Sequence, residues 1–267
     1  MQIWRRGLTP TVFYPHICTS KIRTSVVYLG MPFTFAHPAV VLPFGKLTKS
    51  WLSTTGLVIG SLVPDFEYFF RMRLVSRYSH TWEGFVWFDL PLAYILVILY
   101  EMYIKDKLIT HLPAAPNRRL FWFKGFRTYY SLGYFIGILF SVAIGAASHI
   151  VWDGFTHPGG MFVHDFPVLE QIITVYGHRI YVFHFLQYAS TVAGVLIIAI
   201  VYYALPKGEL TRVKNIGPFW LQVTLVLFVT IAIKLATGMQ LQPHGDVLIT
   251  VIDGTLLGVI VASLLAD

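Results

Sequence analysis

The stretch Ser131-Leu-Gly-Tyr-Phe-Ile-Gly-Ile-Leu-Phe-Ser-Val-Ala-Ile-Gly-Ala-Ala-Ser-His149-Ile-Val-Trp-Asp153-Gly-Phe-Thr-His157 decides how the rest of the chain is read. Its apolar part is long enough for a membrane-spanning helix, which needs about 20 mostly apolar residues. Its end carries two histidines and an aspartate. On a helix, positions i, i+4 and i+8 share one face, so His149, Asp153 and His157 point the same way. Imidazole and carboxylate at that spacing is how a helix presents ligands to a divalent metal. Ionisable groups at membrane depth are costly and mark a functional site. The plainer reading of the same triplet is a helix end capped by groups that hydrogen-bond water.

Composition agrees with a membrane setting. Of 267 residues, 56% are hydrophobic and only 12% charged, where a soluble domain carries about a quarter charged residues. The chain reads as a polytopic protein of the plasma (inner) membrane. Its net charge of +7 does not call for nucleic acid, because basic loops on the cytoplasmic side account for it. Cys18 is the single cysteine, which excludes an intrachain disulfide and a cysteine-rich zinc site. A metal must rely on His, Asp and Glu.

Five segments are long and apolar enough to span: residues 85–104, 130–152, 185–205, 218–236 and 247–266, the last despite Asp253. Two shorter pieces precede them, 36–44 and 51–70. The basic turn 45–50 between them predicts an antiparallel helical hairpin, and Pro64 marks a kink or the end of the second piece. The expected fold is all-α, a membrane bundle of about seven helices with two short ones first. Residues 31–267 form a single integral membrane domain. Residues 1–30 lack a sustained apolar run and a cleavage site; they read as an extension outside the fold, with Met31 as the natural start, the alternative being a short amphipathic interfacial segment.

Basic residues set the orientation. Residues 105–127 hold Lys105, Lys107, Arg118, Arg119, Lys124 and Arg127 against Asp106. Residues 206–217 add Lys207, Arg212 and Lys214 against Glu209. Both connections are expected in the cytoplasm, and 153–184, with Arg179 as its only Lys or Arg, outside. Lys46 and Lys49 then fall inside, while Arg71, Arg73 and Arg77 fall outside and break the rule locally.

This topology brings distant residues to one face. His37 opens the first short helix and Asp65 ends the second, so the hairpin returns both to the outer level. His80 follows in Tyr78-Ser79-His80-Thr81, and His149, Asp153 and His157 sit at the outer end of the fourth helix. Six candidate ligands share one side. Such a donor set without thiolate suits zinc, and also manganese or iron. Bound zinc lowers the pKa of its water to about 7 and polarises an ester or phosphoryl oxygen. Glu67 and Glu83 are candidates for a general base or an outer partner of the ligands; either also reads as a solvated carboxylate.

Other polar residues carry less. Asp89, in Phe88-Asp89-Leu90-Pro91, either lines the site or caps a helix restarted at Pro91. His164, Asp165, His178 and His184 lie in or beside the outer connection as a lid or as solvated groups. Gln187 and Ser190 read as interhelical hydrogen-bonding residues, and Gly133, Gly137, Gly145 and Gly194 as close-packing positions. The sequence contains no phosphate loop, nucleophile elbow or dinucleotide fingerprint.

Met31-Pro-Phe-Thr-Phe-Ala-His37-Pro-Ala, Gly60-Ser61-Leu-Val-Pro64-Asp65-Phe-Glu67-Tyr and Ser79-His80-Thr81 resemble the family called domain of unknown function 4184, from Met31 to near the C-terminus. That family is similar to the YdjM-like membrane-bound, metal-dependent hydrolases, grouped by likeness with the helical phospholipase C and P1 nuclease fold and its clustered zinc ions. The resemblance implies His37, Asp65, His80, His149 and Asp153 as the matching positions. The chain departs from it at Arg77-Tyr78-Ser79, where Arg-Gly often precedes the Thr-His motif.

The expected function is therefore hydrolysis of an ester or phosphoester at the outer membrane surface. The expected cofactor is a divalent metal, zinc first, and the substrate a membrane lipid or envelope precursor. The alternative is a non-enzymatic protein with a structural metal site or an ion- or solute-transport role.

Overall fold

A computed structural model describes residues 34–43, 52–73, 75–125, 132–210, 216–238 and 244–266. The 1–30 extension, the Met31 start, the hairpin turn with Lys46 and Lys49, and Arg127, Arg212 and Lys214 lie outside the described residues.

Among the described residues, three short helices come first: α1 Pro38–Val41, α2 Thr54–Gly60 and α3 Phe66–Arg71. Ser53 starts α2, its hydroxyl accepting from Gly56 N–H at 3.1 Å, which satisfies one free donor of the first turn. Pro64 interrupts the run as a 3-10 turn, Val63–Asp65, so the long second piece is two helices rather than one. Met72 closes α3 in the left-handed region at φ 48°.

The long helices are α4 Trp82–Thr110, α6 Leu132–Thr156, α7 Val182–Ala204, α8 Ile216–Ala236 and α9 His244–Leu265, with the short α5 Ala114–Leu120 after α4. Among the described residues, five helices are long and apolar enough to cross a membrane. Their outward faces carry exposed Val192, Leu196, Ile200, Leu225 and Phe228, which only a hydrocarbon surround accommodates. The protein is a helical membrane protein.

The connection between α6 and α7 departs from the all-α expectation. It holds a two-stranded hairpin, β1 Ile172–Val175 and β2 His178–Tyr181, with Ile172 opposite Tyr181 and Val175 opposite His178. Tyr176 and Gly177 both have positive φ, 48° and 82°, the backbone of a type I′ turn whose twist matches its strands.

Two features position the site. First, α2 crosses α6 where both lack side chains. A Cβ on Gly60 would lie 2.5 Å from the Val142 carbonyl oxygen, and one on Gly145 would lie 2.7 Å from Ser61 N. Glycine is needed for that approach. Around the crossing, Val63, Ala93, Val97, Ile138, Val142 and Ala146 form a buried core between α4 and α6.

Second, the ends of the bundle are distinct. Arg119 donates to the carbonyls of Tyr203 and Leu205 at 2.6 and 3.0 Å, Trp122 Nε1 to Pro206 at 3.0 Å, and Gly208 N–H to Arg118 at 2.8 Å. The two basic connections therefore meet at one end of the bundle. Lys107 Nζ joins them to the C-terminus through the Ala266 carbonyl at 2.7 Å. The start of α4 and the end of α6 lie at the other.

Candidate metal centre

Asp65 reaches the site from the 3-10 turn forced by Pro64, His80 from the loop before α4, and His149 and Asp153 from successive turns of α6. One ligand atom from each lies within 4.8 Å of all the others. His149 Nε2 is 3.2 Å from Asp153 Oδ2 and 3.5 Å from Asp65 Oδ1. His80 Nε2 is 3.4 Å from Asp153 Oδ2 and 3.7 Å from Asp65 Oδ1. Two donors each about 2.1 Å from one tetrahedral zinc stand about 3.4 Å apart. The spacing suits a shared cation.

The satisfaction of the polar atoms agrees. His80 Nε2, His149 Nε2 and Asp153 Oδ1 are buried without a hydrogen-bond partner among the described residues. The two nitrogens approach Asp153 Oδ2 and Asp65 Oδ1, and Asp153 Oδ1 approaches His37 and His157, as ion pairs do, but the approaches lack hydrogen-bond alignment. Buried polar atoms left so require another partner, and an ion at this point supplies one. Such a buried Asp/His cluster can hold a metal ion.

The nitrogens are also aimed. His149 Nδ1 lies 2.8 Å from the Ser61 carbonyl, so Nδ1 carries a proton and Nε2 is the nitrogen turned to the cluster. The Gly60–Gly145 crossing brings that carbonyl within reach. His80 Nδ1 meets Ser79 Oγ at 3.1 Å, leaving its Nε2 for the cluster. His80 itself sits at φ 68°, a strained conformation that persists only where surroundings impose it.

Glu67 imposes it. The carboxylate accepts from the backbone N–H of Arg77, Tyr78 and Ser79 at 2.9–3.0 Å and from Arg71 Nε at 2.8 Å. Burial alone would raise its pKa, but these donors push it down to about 2. An acid so occupied is a poor proton acceptor, so the expected general-base role for Glu67 does not fit its placement. Its work is to shape the loop that carries His80. The pairing also neutralises Arg71 at 2.7 Å, one of the basic residues at the site end. Glu83 is exposed in the first turn of α4 and carries no hydrogen bond or ion pair to the cluster among the described residues.

His37 and His157 flank the other oxygen of Asp153, each 3.5 Å from Oδ1. His37 stacks on His149 with ring centroids 3.8 Å apart. Burial first, then the charge of His149, pushes His37 down to about 4, so its ring is neutral at neutral pH. His157 Nε2 lies 3.2 Å from the Gln187 amide. Burial would raise Asp65, but the facing His149, with His80, holds its carboxyl below the ordinary value. It is ionised, as a ligand must be.

Asp89 is where sequence reasoning fell short. It has no side-chain capping bond, and α4 runs on through it. A π-helical segment, Phe85–Asp89, precedes Pro91 and gives room for a ring that would otherwise strike the preceding turn. Asp89 is 0% exposed, and neither carboxylate oxygen has a hydrogen-bond partner among the described residues. Its electrostatic neighbours are His80 and His149 first, then Glu67 and Asp65. The Pro91 signal for a helix restart concealed it; an acid four residues into an apolar run was the available clue.

The family model that matches residues 31–264 describes a domain of unknown function, DUF4184. The chain belongs to that family. The match spans all six candidate ligands and Asp89. No curated protein and no solved structure matches the chain.

Proposed function

We propose that this DUF4184 protein is a membrane-embedded, metal-dependent hydrolase of an ester or phosphoester. The observation that carries the reading is the convergence of two buried nitrogens, His80 Nε2 and His149 Nε2, unpartnered among the described residues, on the carboxylates of Asp65 and Asp153. The reading includes a kinship with the YdjM-like hydrolases.

Asp65, His80, His149 and Asp153 would hold the ion, with zinc the best match to two imidazoles and two carboxylates. When bound, zinc supplies Lewis-acid polarisation of the ester or phosphoryl oxygen and a water ionised near neutral pH. The chain's own groups do the rest. Ser61 and Ser79 fix the two imidazoles, and Glu67 fixes the loop. Asp153 Oδ1, turned to His37 and His157 rather than to the two ligand nitrogens, would be placed to accept a proton. His157, partly accessible at 27%, would relay that proton outward.

The basic connections at the opposite end belong in the cytoplasm, which puts the centre on the extracytoplasmic side of the plasma (inner) membrane. Conduction through the centre gains no support, since Val63, Val97, Ile138 and Val142 close the interior beneath His149 at 0–2% exposure.

The test is metal analysis of purified protein beside a His149→Ala, Asp153→Ala double variant, with hydrolysis of bis-p-nitrophenyl phosphate and p-nitrophenyl acetate before and after chelation. Metal bound by the wild type alone, with chelator-sensitive turnover, supports the reading. Metal without turnover of either ester leaves a structural centre, and absence of metal removes the proposal.

A further inference from the structure

We propose that a membrane lipid is the substrate class, its acyl chain lying in a groove between α1, α6 and α7 that starts at the metal centre. The inference rests on the hydrolase reading above.

A cavity of about 210 Å³ opens beside the cluster, with His37 and Asp153 in its wall. Thr156 and Gln187 border the same end. Along α7 the wall continues through Ser190 and Thr191 to Ala193, Gly194 and Ile197. These positions recur at helical spacing on one side of α7, so the wall turns from polar to apolar over about 15 Å. The hydroxyls of Ser190 and Thr191 are bound back to the Gln187 carbonyl at 3.0 and 2.9 Å. Their protons are thereby committed, and Ser190 Oγ also accepts from Trp152 Nε1 at 3.3 Å.

The opposite wall is Ala36, Ala39 and Val40. It lies close because Gly194 has no side chain; a Cβ there would be 2.9 Å from the Ala36 Cβ. Val192, Leu196 and Ile200 beside the groove are exposed on a membrane-spanning helix, so its open side faces hydrocarbon. The lower end, at Ile197, is about 22 Å along α7 from Val182, well inside a hydrocarbon layer about 30 Å thick.

An amphiphile satisfies both ends. Its ester or phosphoester head meets the ligand atoms, and its chain follows the apolar wall into the bilayer. A wholly polar substrate would leave the lower groove to water at membrane depth, and a wholly apolar one would leave the cluster unmet. The cavity is smaller than the ~300–1,000 Å³ that encloses a whole small ligand, as a groove for one chain of a larger lipid requires.

The test uses the full chain in nanodiscs of phosphatidylglycerol with a small fraction of phosphatidylglycerol bearing a diazirine midway along one acyl chain. Illumination is followed by mapping of the labelled peptides, with zinc measured on the same preparation. Labelling should concentrate at residues 36–40 and 187–197. It should fall about tenfold in Ala193→Phe, which places a ring in the groove from an exposed position, with zinc content unchanged. Labelling spread evenly over α7, α8 and α9, or unaffected by Ala193→Phe, overturns the lipid groove even if zinc is bound. Groove labelling in protein that binds no zinc keeps the lipid site and removes the hydrolase reading, so the two failures are distinct.

Discussion

His149 Nδ1 lies 2.8 Å from the carbonyl oxygen of Ser61, 88 residues earlier in the chain. That bond exists because Gly60 and Gly145 let α2 and α6 touch backbone to backbone. Packing within the membrane thereby decides which imidazole nitrogen is presented to a metal. Gly145→Ala tests the link. Its methyl would meet Ser61 N at 2.7 Å, so α2 must move away. Zinc affinity should fall about 10–100-fold, the usual cost of losing a partner behind a ligand. Equilibrium dialysis of folded Gly145→Ala protein measures it, and unchanged affinity would detach the crossing from the site.

Asp153→Asn separates ligand from cap. Asparagine keeps the size and can still hydrogen-bond at a helix end, so a capping role predicts a small loss. A ligand role predicts loss of most bound metal, because the amide lacks the charge that offsets a cation. The apo melt should change by no more than about 1 kcal/mol. Full metal content in the variant would remove Asp153 from the ligand set.

Glu67→Gln should weaken the protein through its loop. The folded pKa is about 2 against an ordinary 4.5. This contribution to stability is therefore complete above about 4.5 and lost as pH falls toward 2. The variant should lose about 1–3 kcal/mol at pH 7, as charge-assisted bonds to the backbone are weakened. It should also lack the wild type's added loss of stability between pH 4.5 and 3. Thermal melts across that range, with zinc affinity as a second readout through His80, decide it. A wild-type-like pH profile would deny Glu67 its bracing role.

The two ends of the bundle should label from opposite sides. With Cys18 replaced, a cysteine at Tyr176, which is 98% exposed at the hairpin tip, should react with an impermeant maleimide in intact cells. One at the exposed Arg118 should react only after permeabilisation. The reverse pattern inverts the proposed orientation.

Much of the centre was legible because it obeys periodicities. His149 and Asp153 share a helix face by spacing alone, and the hairpin argument carried His37, Asp65 and His80 to the same end, where the structure brings the atoms together. Other features depended on what side chains meet. Glu67 is two residues after Asp65, roughly 200° around a helix, so sequence proximity did not mean a shared face. The Gly60–Gly145 contact joins segments whose crossing no local pattern states. The β-hairpin was missed because Tyr176-Gly177 is a less familiar signal than Asn-Gly for the same turn.

Asp89 gives the sharpest remaining test because its neutral isostere should act in opposite directions with and without metal. Its carboxylate is wholly buried with both oxygens unpartnered among the described residues. A buried charge in that state costs stability. Asp89→Asn should therefore raise the melting temperature of the metal-free protein. With zinc bound, the carboxylate near His80 and His149 offsets cation charge, and removing it should weaken zinc binding by about tenfold, a typical effect of a group behind the ligands. The two melting curves, measured with chelator and with saturating zinc, should cross: the variant more stable in the first and gaining less from metal in the second. If Asp89→Asn gains as much from zinc as the wild type does, Asp89 has no part in the centre.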